Sequence, residues 1–445
     1  MITYRPGDPG YQQARKLFIG RPDEVLPWAV VECATEEDVA TALDMAAGGP
    51  FAIRGGGHSL AEHSTSDGMV LDLSGLTTIE VRDGTVVVGA GVRIGTLTDA
   101  LAPLGLVVPV GWCRSVGVVG AVLGGGYGVL GRYYGLGADH LVAARVLLAG
   151  GRIVRATATE HPDLFWALRG AGGGNFGVVL SVELRTRLSV AQTAIQATWP
   201  YERVVDVVAA WQHLAPAASR EVNLQLSVRA GDNEPGVTLF GVVVGNLADA
   251  HTVLASFTDR AGPTSTSVCT VMSTKDAVRY GGTAVDHTLP RLPEDETRPA
   301  LKLVRTQFFS GPMPRPVLAE LTEYLARDRL PGVYRDLELI PWGAELSARY
   351  GGAFAHRHAR FLLKHTVQTE CRATDDTRAA ATGWVNGSWA LTRPFGSGGS
   401  YPNYPDLALT NWPQAYYGAN LPRLLTIKKL YDPAGVFRFS QGLTV

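Results

Sequence analysis

A glycine-rich stretch decides the fold of this chain: Gly111-Trp112-Cys113-Arg114-Ser115-Val116-Gly117-Val118-Val119-Gly120, continuing to Gly124-Gly125-Gly126-Tyr127-Gly128. Glycine recurs too often here for a packed helix, because each interior Gly costs about 0.5–1 kcal/mol relative to Ala. Bare backbone instead allows close approach, and its N–H groups can bind an anion such as a pyrophosphate. A second cluster, Arg54-Gly55-Gly56-Gly57-His58-Ser59, lies upstream. The sequence therefore predicts two loops, one carrying His58 and the other Cys113, at the centre of a site.

The composition is that of a large folded enzyme. The 445 residues predict two or three domains, and 46% hydrophobic content is ample for their cores. Charged residues make up 18% and glycines number 52, which fits a site built largely from backbone and argues against disorder. The formal net charge of -1 predicts no nucleic-acid or anionic-membrane partner.

The N-terminus and the cysteines predict a cytoplasmic protein. Residues 1–6 contain no apolar core of a secretory signal, and the longest uncharged run, residues 116–131, is too short for a bilayer. The four cysteines show no paired spacing, so neither a disulfide framework nor a zinc site is expected. They are Cys33, Cys113, Cys269 and Cys371.

The hydrophobic pattern predicts an α+β fold in three segments. Residues 1–190 alternate short helices and strands with glycine-rich loops. Residues 191–400 contain long alternating strands and amphipathic helices, which predict one antiparallel sheet with helices on one face. Residues 401–445 are polar and aromatic, with a helix expected at Tyr416–Leu430, and should pack back on the first segment.

Several local motifs are rejected or left open. Gly172–Gly177 matches G-x-G-x-x-G, but it follows a helix and opens a strand, the reverse of a Rossmann fingerprint. No phosphate-binding P-loop is present. A Cys/His hydrolase built on His58 and Cys113 is conceivable, yet nothing marks an oxyanion site or a third group. No metal is expected, because the set formed by three histidines lacks a carboxylate at a helpful spacing before Glu370. Those histidines are His356, His358 and His365.

The order of motifs resembles the berberine-bridge-enzyme-like flavoprotein oxidases of the vanillyl-alcohol-oxidase superfamily. The resemblance spans essentially the whole chain. It begins with the two glycine-rich loops and continues through residues 133–139, 169–178, 401–406, 417–420 and 432–441. It implies a two-part PCMH-type FAD-binding domain, a substrate domain with an antiparallel sheet, and a C-terminal segment that returns to the FAD-binding domain.

The resemblance also implies a bicovalent FAD. In this family the His after the glycines is linked to the flavin 8α-methyl group and the loop Cys to C6, which assigns those roles to His58 and Cys113. The further residues implied to contact the cofactor are Arg54, Gly55, Gly56, Gly57, Ser59, Val116, Gly117, Gly120, Gly124, Gly125, Gly126, Tyr127, Gly128, Asp139, Gly174, Asn175, Gly177, Val178, Asn403 and Asn420.

The chemistry implied by the resemblance is hydride transfer from an alcohol-type carbon to flavin N5, followed by reoxidation with O2 to give H2O2. The family places the second Tyr of Tyr-x-Asn-Tyr, here Tyr404, beside N5 as the base. A free phenol has a pKa near 10 and needs an activating neighbour at neutral pH. Tyr134 and His365 are the candidates for that neighbour. Val116 matches the position thought to control oxygen access in relatives.

Departures from the family pattern leave the substrate open. Ala121 replaces a frequent His, Ala355 replaces a frequent Pro, and Leu363 with His365 occupies positions where plant relatives often carry Lys and Gln. The substrate is expected to be a sugar or a hydroxylated natural product. An oxidative cyclase and a flavoprotein that binds a ligand without turnover remain the alternatives.

Overall fold

The computed structural model describes residues 1–19, 25–278, 301–348, 351–370 and 372–445. Its strands fall into two small sheets, a two-stranded ribbon and one large sheet. The strands are β1 (Ile2–Tyr4), β2 (Ala29–Glu32), β3 (Phe51–Arg54), β4 (Met69–Asp72), β5 (Ile79–Arg82), β6 (Thr85–Gly89), β7 (Leu106–Val107), β8 (Leu141–Leu147), β9 (Ile153–Ala156), β10 (Val178–Arg185), β11 (Arg187–Leu188), β12 (Gln192–Trp199), β13 (Val222–Ala230), β14 (Gly236–Val244), β15 (Thr266–Met272), β16 (Leu301–Phe309), β17 (Val333–Pro341) and β18 (Phe361–Thr369).

The helices are short in the first segment and longer beside the large sheet. Helix α2 illustrates how they start: the Thr35 hydroxyl accepts from the Asp38 N–H at 3.1 Å, and the Asp38 carboxylate accepts from the Thr35 N–H at 3.2 Å. The α-helices are α1 (Tyr11–Ala14), α2 (Glu36–Met45), α3 (Ile94–Leu101), α4 (Val118–Leu123), α5 (Gly131–Tyr134), α6 (Pro162–Ala171), α7 (Val204–Leu214), α8 (Leu247–Ala261), α9 (Arg315–Ala326), α10 (Asp375–Thr392), α11 (Trp412–Tyr417) and α12 (Leu421–Tyr431).

The first segment builds two sheets that share one core. In the order β1-β2-β4-β3, the pairs β2–β4 and β4–β3 are parallel, whereas β5-β6-β10-β8-β9 is antiparallel throughout. Buried side chains of both sheets and of α2, α3, α4 and α6 form a continuous hydrophobic cluster. The two-part α+β architecture predicted for this segment is confirmed.

The second segment is one antiparallel sheet in the order β15-β12-β14-β13-β17-β18-β16. One face packs on α7, α8, α9 and α10 through a core that includes Trp211, Leu224 and Leu363. The opposite face looks toward the first segment. Because successive side chains of a strand point to opposite faces, Leu363 joins the helix-side core while Lys364 faces the first segment.

The predicted boundary near residue 190 falls between β11, which pairs with β7, and β12, which belongs to the large sheet. Residue 190 therefore lies between strands of two different sheets. The exact domain limits stay a prediction. Within the described ranges, no helix has the length and apolarity to cross a bilayer.

Two helix predictions are wrong. The stretch 118–123, expected to be loop because of its glycines, forms α4, whose residues Val118, Val119 and Val122 enter the core. The helix expected at Tyr416–Leu430 is two helices, α11 and α12. A 3-10 turn separates them at Gly418–Asn420, where Gly418 has φ +49°, in the left-handed region that favours glycine.

The C-terminal segment contacts the first segment. The buried Lys428 ammonium pairs with Asp432 at 2.6 Å and donates to the carbonyl oxygens of Asn175 and Phe437, each at 2.8 Å. The Asn175 side chain in turn accepts from the Leu443 N–H at 2.9 Å. The tail is therefore fixed to the glycine-rich loop that precedes β10.

Candidate active site

A cavity of about 1270 Å³ lies between the glycine-rich loops of the first segment and the polar face of the seven-stranded sheet. Both predicted anchors, His58 and Cys113, line it, as does Tyr404 from the C-terminal segment. The two residues that the sequence placed at the centre of the site therefore share one cavity with the base that the family resemblance implies.

The glycines form a cradle that side chains would fill. A Cβ on Gly56 would overlap the Gly117 backbone nitrogen, so the two loops are in direct backbone contact. By contrast, a Cβ on Gly120 or Gly173 would meet no atom within 4 Å, because both face open space. Bare backbone along a cavity of this size fits a dinucleotide such as FAD.

His58 follows Gly57, whose φ of +69° turns the chain after β3. The imidazole stacks on Phe18 with ring centroids 3.8 Å apart. Burial, together with the positive charges of Arg93 and Lys302, lowers the pKa of His58 to about 3. The ring is therefore neutral at physiological pH and keeps a nucleophilic nitrogen.

Cys113 lies in a loop that Arg93 holds in place by donating to the Ser115 carbonyl oxygen at 2.6 Å. The Cys113 Sγ is 3.2 Å from the Ser115 Oγ. The neighbouring Arg114 turns to Asp99, with which it pairs at 2.5 Å.

Tyr404 is held by residues from all three segments. Its hydroxyl oxygen lies 2.7 Å from that of Tyr127, and the Lys364 ammonium lies 5.5 Å from the centre of its ring. Burial raises the pKa of Tyr404, the positive charge of Lys364 opposes that rise, and the carboxylate of Glu338 adds to it. The Lys364 cation and the hydrogen bond with Tyr127 both lower this pKa and so favour a phenolate.

Lys364 on β18 and Glu338 on β17 form a buried ion pair directly across the two strands. Burial acts to lower the pKa of Lys364, but the charges of Glu338, Tyr404 and Asp336 raise it above its ordinary value. Lys364 therefore remains a cation beside Tyr404 across the physiological pH range.

The structure does not bring Tyr134 or His365 to the cavity, which corrects the two predicted activators of Tyr404. The Tyr134 hydroxyl donates to the Leu188 carbonyl oxygen at 2.8 Å, outside the cavity lining. His365 points to the helix side of β18, where its ring contacts Ser388 at 2.8 Å. Burial and the nearby Arg305 lower the pKa of His365 to about 3.

The error came from strand register. The family resemblance matched Leu363 and His365 to the relatives' Lys and Gln. Each of the two lies one position away from Lys364, the residue that faces the cavity. The signals missed were a Lys within the apolar run of β18 and a Glu within that of β17. Charged residues are rarely buried in a sheet unless they pair, so one such residue on each strand indicates an ion pair. Together they identify Lys364 and Glu338.

The other predicted cofactor residues divide into two groups. Arg54 pairs with Asp72 at 2.6 Å, and Asp139 pairs with the buried Arg357 at 2.5 Å, so both act from behind the cavity. Neither Arg54 nor Asp139 lines the cavity, and the same is true of Gly125, Gly128, Asn175, Val178 and Asn420. The cavity-lining group is Gly55, Gly56, Gly57, Ser59, Val116, Gly117, Gly120, Gly124, Gly126, Tyr127, Gly174, Gly177 and Asn403.

The metal interpretation of the histidines gains no support. His356 stacks on Phe308 with ring centroids 4.6 Å apart, and its Nε2 lies 3.0 Å from the Tyr416 carbonyl oxygen. In the part of the chain that the structure describes, no group of three or more His, Cys, Asp or Glu side chains could hold a metal ion.

The fold and the cavity are those of a flavin-binding oxidoreductase in which a separate antiparallel sheet lines one side of the cavity. Comparisons with known proteins give the family. Residues 27–157 match the FAD binding domain family, and residues 400–444 match the family described as berberine and berberine like. The chain belongs to the berberine-bridge-enzyme-like FAD-linked oxidoreductases.

Individual relatives agree with this assignment over nearly the full length. An FAD-linked oxidoreductase of Bacillus subtilis, YvdP, is 30% identical over 98% of this chain and 96% of its own. The structure of a Physcomitrella patens BBE-like 1 variant superposes with a TM-score of 0.88 at 24% identity, covering 100% of this chain and 96% of the other. Acremonium strictum glucooligosaccharide oxidase, described with a 6-S-cysteinyl, 8α-N1-histidyl FAD, gives 0.87 at 25% identity, covering 99% and 96%.

Proposed function

We propose that this protein is a bicovalent FAD oxidase that removes a hydride from an alcohol carbon of a small organic substrate and passes the electrons to O2, giving H2O2. The observation that carries the proposal is the Lys364 cation beside the Tyr404 phenol, in the same cavity as His58 and Cys113. A base, a charge that favours its deprotonated form, and two candidate anchors for a redox cofactor are the parts that this reaction needs.

His58 and Cys113 would hold the cofactor covalently from two loops. The neutral imidazole of His58 supports this, because a protonated ring could not act as a nucleophile. The same pair of links is named for the flavin of Acremonium strictum glucooligosaccharide oxidase. When bound, FAD supplies the hydride acceptor and returns the electrons to O2.

Tyr404 would take the hydroxyl proton of the substrate as its carbon loses a hydride. The Lys364 ammonium stabilises the phenolate, and Tyr127 hydrogen-bonds to the Tyr404 hydroxyl and fixes its orientation. Glu338 keeps the charge of Lys364 compensated in the buried sheet. The proton thus moves to an oxygen whose position is set before the substrate arrives.

The test is anaerobic reduction of the purified yellow protein by a panel of sugars and benzylic or allylic alcohols, followed by H2O2 measurement in air. Bleaching of the flavin by at least one alcohol, with peroxide formed in air, is expected. A product that has lost two hydrogens to a carbonyl identifies a simple oxidase, whereas a ring-closed isomer of that product identifies an oxidative cyclase. Ligand binding without bleaching would instead favour a flavoprotein that binds without turnover.

A further inference from the structure

The cavity face of the large sheet carries a row of buried polar side chains. Gln225 on β13, Glu338 on β17 and Lys364 on β18 belong to three adjacent strands and all line the cavity. Their exposed fractions are 1%, 3% and 8%. This row forms the floor of the cavity that Tyr404 also lines.

Gln225 differs from its two neighbours. Glu338 and Lys364 pair with each other, whereas the Gln225 side-chain amide has no hydrogen-bond partner among the residues that the structure describes. Buried polar groups in native proteins are almost always hydrogen-bonded, since leaving one unpaired is unfavourable. An amide that lines a cavity without a partner indicates that its partner arrives with the ligand.

We propose that Gln225 binds a second, neutral polar group of the alcohol substrate, a hydroxyl or a carbonyl oxygen, while the reacting carbinol lies at Tyr404; this inference rests on the proposed function. An amide offers a donor and an acceptor but no charge. Lys364 and Glu338 compensate each other, so the three-residue row itself carries no net charge.

The strand register sets the spacing of the two groups. Glu338 pairs with Ser227, so Gln225 is its diagonal neighbour across β13 and β17. Lys364 lies directly opposite Glu338 on the other side. Two strand spacings, roughly 10 Å between backbones, separate Gln225 from Lys364. The substrate is therefore an alcohol with a second polar group several bonds from the oxidised carbon.

The experiment compares matched alcohols with the holoenzyme and its Gln225→Leu variant, which removes the amide at similar size. The probes are 1,4-benzenedimethanol against 4-methylbenzyl alcohol, and cellobiose against D-glucose. Anaerobic flavin reduction is measured over a range of probe concentrations. Val304→Leu, an apolar cavity position on β16, is the control.

The parent should favour the member of a pair that carries the additional hydroxyl by about 10- to 100-fold in kcat/KM. In Gln225→Leu that preference should shrink to within about threefold. The change should come from a higher KM for the probe with the additional hydroxyl, with little change in kcat. The Val304→Leu control should keep the parent's preference. An unchanged preference in Gln225→Leu, or none in the parent, overturns the role of Gln225.

A failure of the proposed oxidase activity can be distinguished from a failure of the proposed role of Gln225. If no probe bleaches the parent flavin, the thermal midpoints are compared with the same probes at saturating concentration. A midpoint that rises with a dihydroxy or sugar probe in the parent but not in Gln225→Leu supports the binding role without turnover. Equal shifts in both proteins, or no shift with any probe, overturn it.

Discussion

The hydroxyl oxygens of Tyr127 and Tyr404 lie 2.7 Å apart, although 277 positions separate the two residues in the chain. Tyr127 comes from the glycine-rich loop after α4, and Tyr404 comes from the C-terminal segment. Both rings also contact Tyr401, whose hydroxyl accepts from the Gly126 N–H at 2.9 Å. The orientation of the proposed base is thus fixed by the loop that would face the cofactor.

The first prediction concerns Tyr404 itself. Tyr404→Phe keeps the ring and removes the hydroxyl, so folding and flavin content should survive. Anaerobic flavin reduction should slow by about 10²–10⁴-fold, the usual contribution of a general base. Tyr127→Phe is the matched control and should have a smaller effect, because it removes only the partner of the base. Reduction of Tyr404→Phe within about threefold of the parent rate would pass the role to another group.

Two charge changes should move the pH dependence of flavin reduction in opposite directions. Lys364→Met removes the cation that favours the phenolate, so the pKa of Tyr404 should rise and the midpoint of the rate profile should shift up by about 1–3 units. Glu338→Gln removes the carboxylate that raises this pKa, so the midpoint should shift down. Because burial raises the pKa of Tyr404 above its ordinary value near 10, both changes are measured below the midpoint, by rapid-mixing reduction at a single pH of about 8. The rate should fall in Lys364→Met and rise in Glu338→Gln, and changes of the same sign would contradict the electrostatic explanation.

Two covalent links to flavin are expected. Denatured parent protein should keep its yellow colour, and peptide mapping should find flavin on both His58 and Cys113. The His58→Ala and Cys113→Ala variants should each retain one link. Cys269→Ala, on the edge strand β15, should retain both. Release of all flavin from the parent on acid precipitation would exclude covalent attachment.

Oxygen access should depend on Val116, which lines the cavity three residues after Cys113. Val116→Leu adds one methylene beside the proposed cofactor position. Reoxidation of the reduced protein by O2 should slow, while anaerobic reduction stays nearly unchanged. Stopped-flow measurement of the two half-reactions separates them, and equal slowing of both would argue against control of oxygen access.

Buried neutral histidines should make the protein sensitive to acid. The folded-state pKa of His365 is lowered to about 3, below the ordinary value near 6.5. The unfolded chain therefore binds more protons below pH 6.5, and the free energy of unfolding should fall as pH falls through that window. From pH 7.5 to pH 5.0, His365 alone should account for about 2 kcal/mol of the loss.

Urea unfolding at the two pH values tests this. The His365→Gln variant should lose about 2 kcal/mol less than the parent between pH 7.5 and pH 5.0, whatever its stability at pH 7.5. An identical pH dependence in parent and variant would mean that His365 accepts a proton without unfolding.

The sequence predicted the loops better than the activator of the base. Glycine at positions 56 and 117 and the anchors beside them are local signals, since they reflect what the backbone itself must do. Lys364 is not a local signal. Its role depends on which face of β18 meets the cavity, and a one-residue error in alignment reverses that face. Gln225 was missed because its proposed role depends on the lack of a hydrogen-bond partner. A single amide in an alternating strand does not reveal this in the sequence.

The attachment of Lys428 to Asn175 has a consequence for biosynthesis. The ribosome makes the loop before β10 long before it makes α12, so during synthesis the Asn175 carbonyl oxygen and side chain lack their partners from residues 428 and 443. Tyr404 and Asn403 also reach the cavity only with this late segment. The cavity is therefore complete only after the C-terminal segment has been made, so the step that encloses the proposed cofactor comes after the synthesis of α12.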